Sequence, residues 1–204
     1  SGADWAAQTA AELATMPNVR LMSRTTVIGA FDHGIYGAVE RISDHVAVPD
    51  TGKPRQILWR IYTQRTLLCT GALDRPIAFE NNDRPGIMLA SAMRSYANRW
   101  AVTPDQQVAV CTNHDDGHRT ATDMLAKGVN VTAMIDTREN APKIADCELI
   151  AGAQVINAQG RLGLGGRGLR TQGGRDRVIR CGALGVSGGW NPNVHMTCHQ
   201  RGRP

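Results

Sequence analysis

The stretch Thr66-Leu67-Leu68-Cys69-Thr70-Gly71-Ala72-Leu73-Asp74-Arg75-Pro76 constrains the fold more than any other part of this chain. Apolar residues lead into a Thr-Gly turn, and a charged loop stopped by proline comes next. A buried strand ending against a ligand has this form, because glycine lacks the Cβ that would hold a ligand away from the main chain. Taken alone, the pattern also describes any tight turn after a core strand. Its weight comes from the downstream sequence: a strand–helix–strand pattern near 107–136, then Ser187-Gly188-Gly189-Trp190-Asn191-Pro192. The order is strand, Thr-Gly turn, complete βαβ unit and return to a Gly-Gly turn, which is the order of an α/β fold.

The other segments fit around that frame. At 204 residues the chain is long enough for one large or two small domains with a real core. Trp5, Ala6, Ala10, Leu13 and Met16 are spaced for one helix face over 3–16, and Pro17-Asn18 stops that helix. Strands are predicted at 19–23 and 26–30, with hairpin arms at 38–46 and 56–62 around the turn-rich loop 49–54. The segment 60–70 then runs as a strand into the Thr-Gly turn. Asn81-Asn82-Asp83-Arg84-Pro85-Gly86 is polar and turn-forming, so a boundary is placed there. This assigns 1–85 to a first domain, 86–182 to an inserted domain, and 183–204 to the return. Met88, Ala92, Tyr96 and Trp100 repeat at helical spacing and are expected to face the core. Val108–Cys111 reads as a strand, His118–Lys127 as a helix closed by Gly128, and Val129–Ile135 as the next strand. A short helix is expected over 142–151 and short strands over 153–181.

Several function classes are disfavoured. The net charge of +5 is concentrated in Arg161, Arg167, Arg170, Arg175, Arg177 and Arg180, with no aromatic residue among them. Nucleic-acid binding calls for aromatics interleaved with a basic face, so solvated hairpin edges are the better account. No run of eighteen apolar residues marks a membrane span, and no basic and apolar leader marks secretion. Five cysteines, with no C-x-x-C spacing, fit a reduced cytoplasmic chain without zinc or a disulfide framework. His114 with His118, and His195 with His199, share i,i+4 spacing, but neither pair encloses the glutamate of H-E-x-x-H, so no metal is assigned. No nucleophile elbow or P-loop is present, and no catalytic residue is assigned.

The unit 108–136 has the mechanics of a dinucleotide site: a strand, a turn into a helix N-terminus, and a second strand ending in an acid. Unpaired N–H groups at that helix end favour a pyrophosphate, and an acid about twenty residues beyond the turn accepts a ribose hydroxyl. Asn113 and Asp136 are the candidates, with Asp136 selecting NAD over NADP and Arg138 complicating the choice. The turn itself reads Thr112-Asn113-His114-Asp115-Asp116-Gly117, without the two glycines that would admit the phosphates. Asp115 and Asp116 either repel a pyrophosphate or cap the helix. A degenerate, empty Rossmann unit is the other reading.

Particular phrases carry a family resemblance. They are Arg24-Thr25-Thr26-Val27-Ile28-Gly29, Phe31-Asp32-His33-Gly34 and Val39-Glu40-Arg41, then Thr70-Gly71-Ala72 with Arg75-Pro76. Asn82-Asp83-Arg84-Pro85-Gly86-Ile87-Met88-Leu89 comes after them, with the ladder Arg94, Tyr96, Asn98 and Arg99. Thr112-Asn113 with Asp115, Arg119-Thr120-Ala121, and the segment 187–192 complete the set. Together they resemble the alpha subunit of heterotetrameric sarcosine oxidase along nearly the whole chain. Alpha subunits of opine and proline dehydrogenases share the Thr-Gly and Arg-Pro elements but match less over 82–121.

The resemblance implies a two-dinucleotide flavoprotein fold, FAD/NAD(P)-binding and Rossmann-like, whose first βαβ half lies outside this stretch, so the chain reads as an internal fragment. It implies a complex with beta, gamma and delta subunits that oxidises N-methylglycine to glycine. The alpha subunit of that family carries NAD. FAD and FMN belong to the complex and are not expected on this fragment alone. Carried over by residue, Val27 lies against the adenine, Thr70 and Gly71 form the turn beside that ligand, and Gly188 and Gly189 form its far wall. Expected besides are self-association of the fragment and, as the alternative, a non-enzymatic scaffold with a vestigial Rossmann unit.

Overall fold

Pro17 stops the first helix, as the sequence requires: α1 spans Gly2–Ala14 and has no buried residue. The computed structural model describes residues 2–160, 163, 164, 168–172 and 177–200. Two units are resolved by their internal contacts, one comprising Ser1–Thr70 with Val194–Pro204, the other Gly71–Asn193.

The first unit is built on an antiparallel meander of β1 (Thr25–Phe31), β2 (Ile35–Arg41) and β3 (Gln56–Tyr62). The β1–β2 connection turns through His33 at φ 62° and Gly34 at φ 72°, left-handed conformations that suit the twist of a tight hairpin. Strand alternation sorts the side chains. Phe31, Ile35 and Tyr62 share one register line and Val39 and Leu58 another, giving an apolar face on which Phe31, Leu58 and Tyr62 stand exposed. Trp59 points the other way; its indole donates to Glu40 at 2.7 Å, and Arg20 lies 4.4 Å over its ring.

Two predicted strands of this unit are absent. Residues 19–23 are irregular, and so are 63–71, where Leu67 is 90% exposed. The reason for the second lies at Thr63, whose backbone N–H (2.9 Å) and hydroxyl (3.0 Å) both donate to Gly34 O. That contact continues the β2–β3 ladder by one residue and ends it where β2 begins.

The second unit begins with β4 (Ala72–Asp74), β5 (Ile87–Leu89) and α2 (Ala90–Trp100). The βαβ unit is next, as β6 (Gln107–Thr112), α3 (Asp115–Ala126) and β7 (Asn130–Asp136). Then come β8 (Leu149–Ala151), β9 (Gln154–Gln159), β10 (Gly168–Gln172), β11 (Arg177–Ile179), β12 (Ala183–Ser187) and β13 (Trp190–Pro192). A five-stranded sheet runs in the order β5-β12-β6-β7-β8, and every pairing in it is parallel. Parallel strands are buried on both faces, which accounts for the near-continuous apolar runs of β6 and β12. Val108 and Val110 pack with Ala90, Met93, Ala97, Ala121 and Met124 of the helices. Ala109 and Cys111 pack on the other side with Val155, Ala158 and Ile179, from the antiparallel sheet β11-β10-β9.

This unit corrects three expectations. Its limits lie at 71 and 193 rather than at 86 and 182, because β13 pairs with β4 and β12 sits inside the parallel sheet. Segment 183–193 is therefore part of the inserted unit. Ile87–Leu89 is a strand, so Met88 leaves the helical register. The buried face of α2 is Ala90, Met93 and Ala97, while Tyr96 and Trp100 stand exposed with ring centroids 5.4 Å apart. No helix forms over 142–151, where Leu149–Ala151 pairs with β7 and Ile150 is in register with Ile135. The expected arginine-rich hairpin edge falls partly outside the described residues, as do Arg201 and Arg203. No helix of the described residues is long and apolar enough to cross a membrane.

Candidate functional site

Val27, expected against the adenine, and Thr70, expected in the turn beside that ligand, line one recess. Its volume is about 400 Å³, and Tyr36, Ile61, Leu68 and Met196 help to line it. The size lies within the range of roughly 300–1,000 Å³ typical of small-molecule sites, and the predominantly apolar wall suits a flat heterocycle. Val27 is accessible because a bulge between Val27 and Gly29 interrupts the β1 ladder there. Gly71, the next residue in the chain, has φ 72°, and open space lies where its Cβ would project. Glycine suits that turn for its conformation rather than for a close contact within the protein.

In the inserted unit the Rossmann arrangement is present and altered. Thr112, His114 and Gly117 stand at the three glycine positions of the G-x-G-x-x-G pattern. Gly117 keeps the third role, close helix–strand packing: a Cβ there would come within 2.5 Å of Thr112. The second position holds an imidazole. His114 Nδ1 accepts from Asp116 N–H at 3.3 Å and so caps the N-terminus of α3. Its Nε2 lies 2.9 Å from Ser187 Oγ; Ser187 donates to Asp74 Oδ1 at 3.0 Å, and Asp74 Oδ2 accepts Ser91 N–H at 3.2 Å. With Nδ1 accepting and Ser187 donating onward, these bonds select the Nε2–H tautomer. Asn113 crosses the same gap, its Nδ2 donating to Gly188 O at 3.4 Å. Gly188 N–H donates to Arg75 O (2.7 Å) and Arg75 N–H to Gly189 O (2.8 Å), so both glycines are tied to the loop after β4.

The first turn of α3 adds two carboxylates. Asp115 pairs with Arg138 at 2.8 Å, which holds its carboxyl below the ordinary range, and Asp116 lies 3.4 Å from Arg94. A pyrophosphate does not fit a helix N-terminus so capped and so charged.

Asp136 ends β7 beside Thr112, as expected of a ribose acid, but its side chain is fully buried and fully engaged. Oδ1 accepts from Arg138 N–H (2.9 Å) and Nε (3.0 Å), and Oδ2 from Arg138 Nη2 (2.8 Å). His118 Nε2 lies 2.6 Å from the same Oδ2. Burial pushes this carboxyl up, and the bonds from Arg138 and His118 outweigh it, so the net shift is downward. In this structure the bidentate Arg138, two residues on, takes the lone pairs that the expected ribose hydroxyl would use. Asn113 uses one amide N–H on the Gly188 carbonyl. Sequence reasoning passed over Asp74, Ser187 and the capping role of His114. A histidine at the second glycine position is the signal that could have found them.

Cys111 and Cys181 are buried, and burial raises their thiols to about 11 and about 12, so neither is a reactive thiolate near neutral pH. Among the described residues no three His, Cys, Asp or Glu side chains converge as metal ligands.

The chain is 40% identical over 206 residues to the sarcosine oxidase subunit alpha of Rhizobium meliloti (strain 1021), covering 100% of the chain and 21% of that relative. It is 36% identical over 215 residues to the subunit of the same name from Corynebacterium sp. (strain P-1), covering 98% and 22%. The chain thus spans about a fifth of the length of these relatives. Among solved structures, an FAD-dependent pyridine nucleotide-disulphide oxidoreductase from Desulfovibrio vulgaris superposes with a TM-score of 0.55 at 11% identity, over 86% of the chain and 45% of that structure. That likeness shows the fold, α/β and Rossmann-like. No protein-family model matches the chain.

Proposed function

We propose, from the premise that this chain is a relative of sarcosine oxidase alpha subunits along its whole length, that it forms a dinucleotide-binding part of an oxidoreductase subunit and carries no amine-oxidising site of its own. In this reading the adenosine end of NAD lies in the recess of Val27 and Thr70, beside the Gly71 turn. The inserted unit is a structural Rossmann unit that holds no second dinucleotide. The observation that carries the reading is the convergence of Val27 and Thr70 on one apolar recess, while His114 occupies the phosphate turn of the βαβ unit.

The wider role rests on the relatives and belongs to the same proposal. The subunit assembles with beta, gamma and delta partners into a complex that demethylates N-methylglycine, where FAD and FMN are held outside this stretch. When bound, a nicotinamide or flavin supplies the electron-accepting chemistry; this chain binds and orients the adenosine end. The His114 cap favours a scaffold role for residues 71–193 in particular.

Calorimetric titration of the full chain with NAD and with FAD tests the proposal. Val27→Asp, which places a charge in the apolar recess, is expected to abolish binding. Asp136→Ala should leave it within about twofold, because that carboxylate faces Arg138 and His118. Binding that survives Val27→Asp and disappears with Asp136→Ala would move the nucleotide to the inserted unit and overturn the reading.

A further inference from the structure

The gap between the carboxyl ends of β6 and β12 is bridged twice, by His114 to Ser187 and by Asn113 to Gly188. Open α/β sheets bind ligands in that gap. A concavity remains beside it, on the α2 side of the same sheet edge, with a volume of about 290 Å³. Ser91, Arg94, Ser95, Asn98 and Arg99 line it from one face of α2, and Trp190 from the start of β13. The five α2 positions keep i, i+3, i+4 spacing and include no acid.

The electrostatics favour an anion. Asp116 is the acid in the lining, and Arg94 (3.4 Å) and Arg119 (3.7 Å) both approach it. Arg94 is further engaged by Asp123 at 2.6 Å, which leaves it fixed in place. Arg99 makes no ion pair or hydrogen bond among the described residues, and the hydroxyls of Ser91 and Ser95 have no partner there. Trp190, 43% exposed, gives the concavity one flat apolar wall. A free guanidinium and two hydroxyls suit phosphate oxygens, and an indole face suits a base. At about 290 Å³ the concavity lies just below the roughly 300–1,000 Å³ usual for ligand sites, which suits a small ligand such as a mononucleotide.

We propose that the cleft between α2 and Trp190 binds a nucleoside monophosphate, its phosphate on Arg99, Ser91 and Ser95 and its base against Trp190. The site is separate from the recess of Val27 and Thr70, so either can fail without the other.

The experiment titrates the full chain with AMP, and separately with inorganic phosphate and with adenosine. Tryptophan fluorescence and calorimetry report binding, and circular dichroism checks that each variant is folded. AMP should bind more tightly than phosphate or adenosine. Arg99→Ala, an exposed change, should weaken AMP at least about tenfold and abolish the advantage over adenosine. Trp190→Ala should weaken AMP roughly five- to a hundredfold and Trp190→Phe far less. Val27→Asp should leave the Arg99-dependent component untouched. AMP affinity unchanged in Arg99→Ala and Trp190→Ala, or AMP binding lost in Val27→Asp alone, would overturn the proposal.

Discussion

His114 Nε2 lies 2.9 Å from the hydroxyl of Ser187, joining the loop after β6 to the end of β12 across the edge where a Rossmann unit normally receives its ligand. The same ring caps α3 through Nδ1. One side chain thus stabilises the turn and occupies it.

Replacing His114 by alanine separates those two effects. The lost cap and the lost bond to Ser187 should together cost about 1–2 kcal/mol in urea unfolding. NAD affinity of the full chain should stay as in wild type. A large loss of NAD affinity with stability unchanged would place nucleotide at this turn after all.

Gly117→Ala is expected to be costly in a site that looks like an ordinary helix interior. The added Cβ would lie within 2.5 Å of Thr112, a fully buried residue, so strand and helix must separate. Overpacking of this kind costs about 1–3 kcal/mol. Thr112→Gly in the same background should recover part of it, and thermal midpoints of the three variants are the measurement.

Acid should reveal the Asp136 cluster. Its carboxyl titrates lower in the folded chain than in the unfolded one. The resulting stability is complete above the ordinary carboxylate value of roughly 3.9 and is lost as pH falls through the lowered value. Arg138→Ala removes the two guanidinium bonds that lower it and keeps the backbone N–H, leaving burial less opposed, so the loss should begin at higher pH. Urea midpoints between pH 3 and 7 would show this as a shifted acid limb. Superimposable limbs would mean the cluster contributes nothing.

The meander of the first unit offers Phe31, Leu58 and Tyr62 to solvent, at 53, 63 and 71% exposure. An apolar face of this kind is expected to bind a hydrophobic dye and to drive self-association of the isolated chain. Leu58→Lys with Tyr62→Lys should abolish both. A monodisperse wild-type monomer that leaves the dye dark would contradict the expectation.

The βαβ unit was legible because its signals are local: short, mostly apolar runs in β6 and β7, and glycine at 128 closing the helix. Asp136 at the end of a strand was legible for the same reason. The fate of its carboxylate was not, since that depends on Arg138 folding back and on His118 approaching from another element. The same limit explains 63–70: Leu67-Leu68-Cys69 suits a strand, but the β2–β3 ladder ends at Gly34 and Thr63, which no local pattern announces. Tyr96 and Trp100 were misplaced because the packed stripe of α2 is Ala90, Met93 and Ala97, whose smaller side chains signal a core face less strongly than the aromatics do. Asp74, Ser187 and His114 are far apart in sequence, and no local pattern joins them.

The position of β12 sets the order in which this protein can be made. Residues 183–187 fill the slot between β5 and β6, so the middle of the sheet is among the last parts of the unit to leave the ribosome. Until then β6 presents an open edge, and β4 waits for Trp190–Pro192 to pair with it. Folding of residues 71–193 is therefore held back to the end of their synthesis, and pairing across so long a stretch is intrinsically slow. A nascent chain that has not yet exposed residue 183 would be a natural client for a chaperone, whereas one that has exposed residue 193 would be able to close.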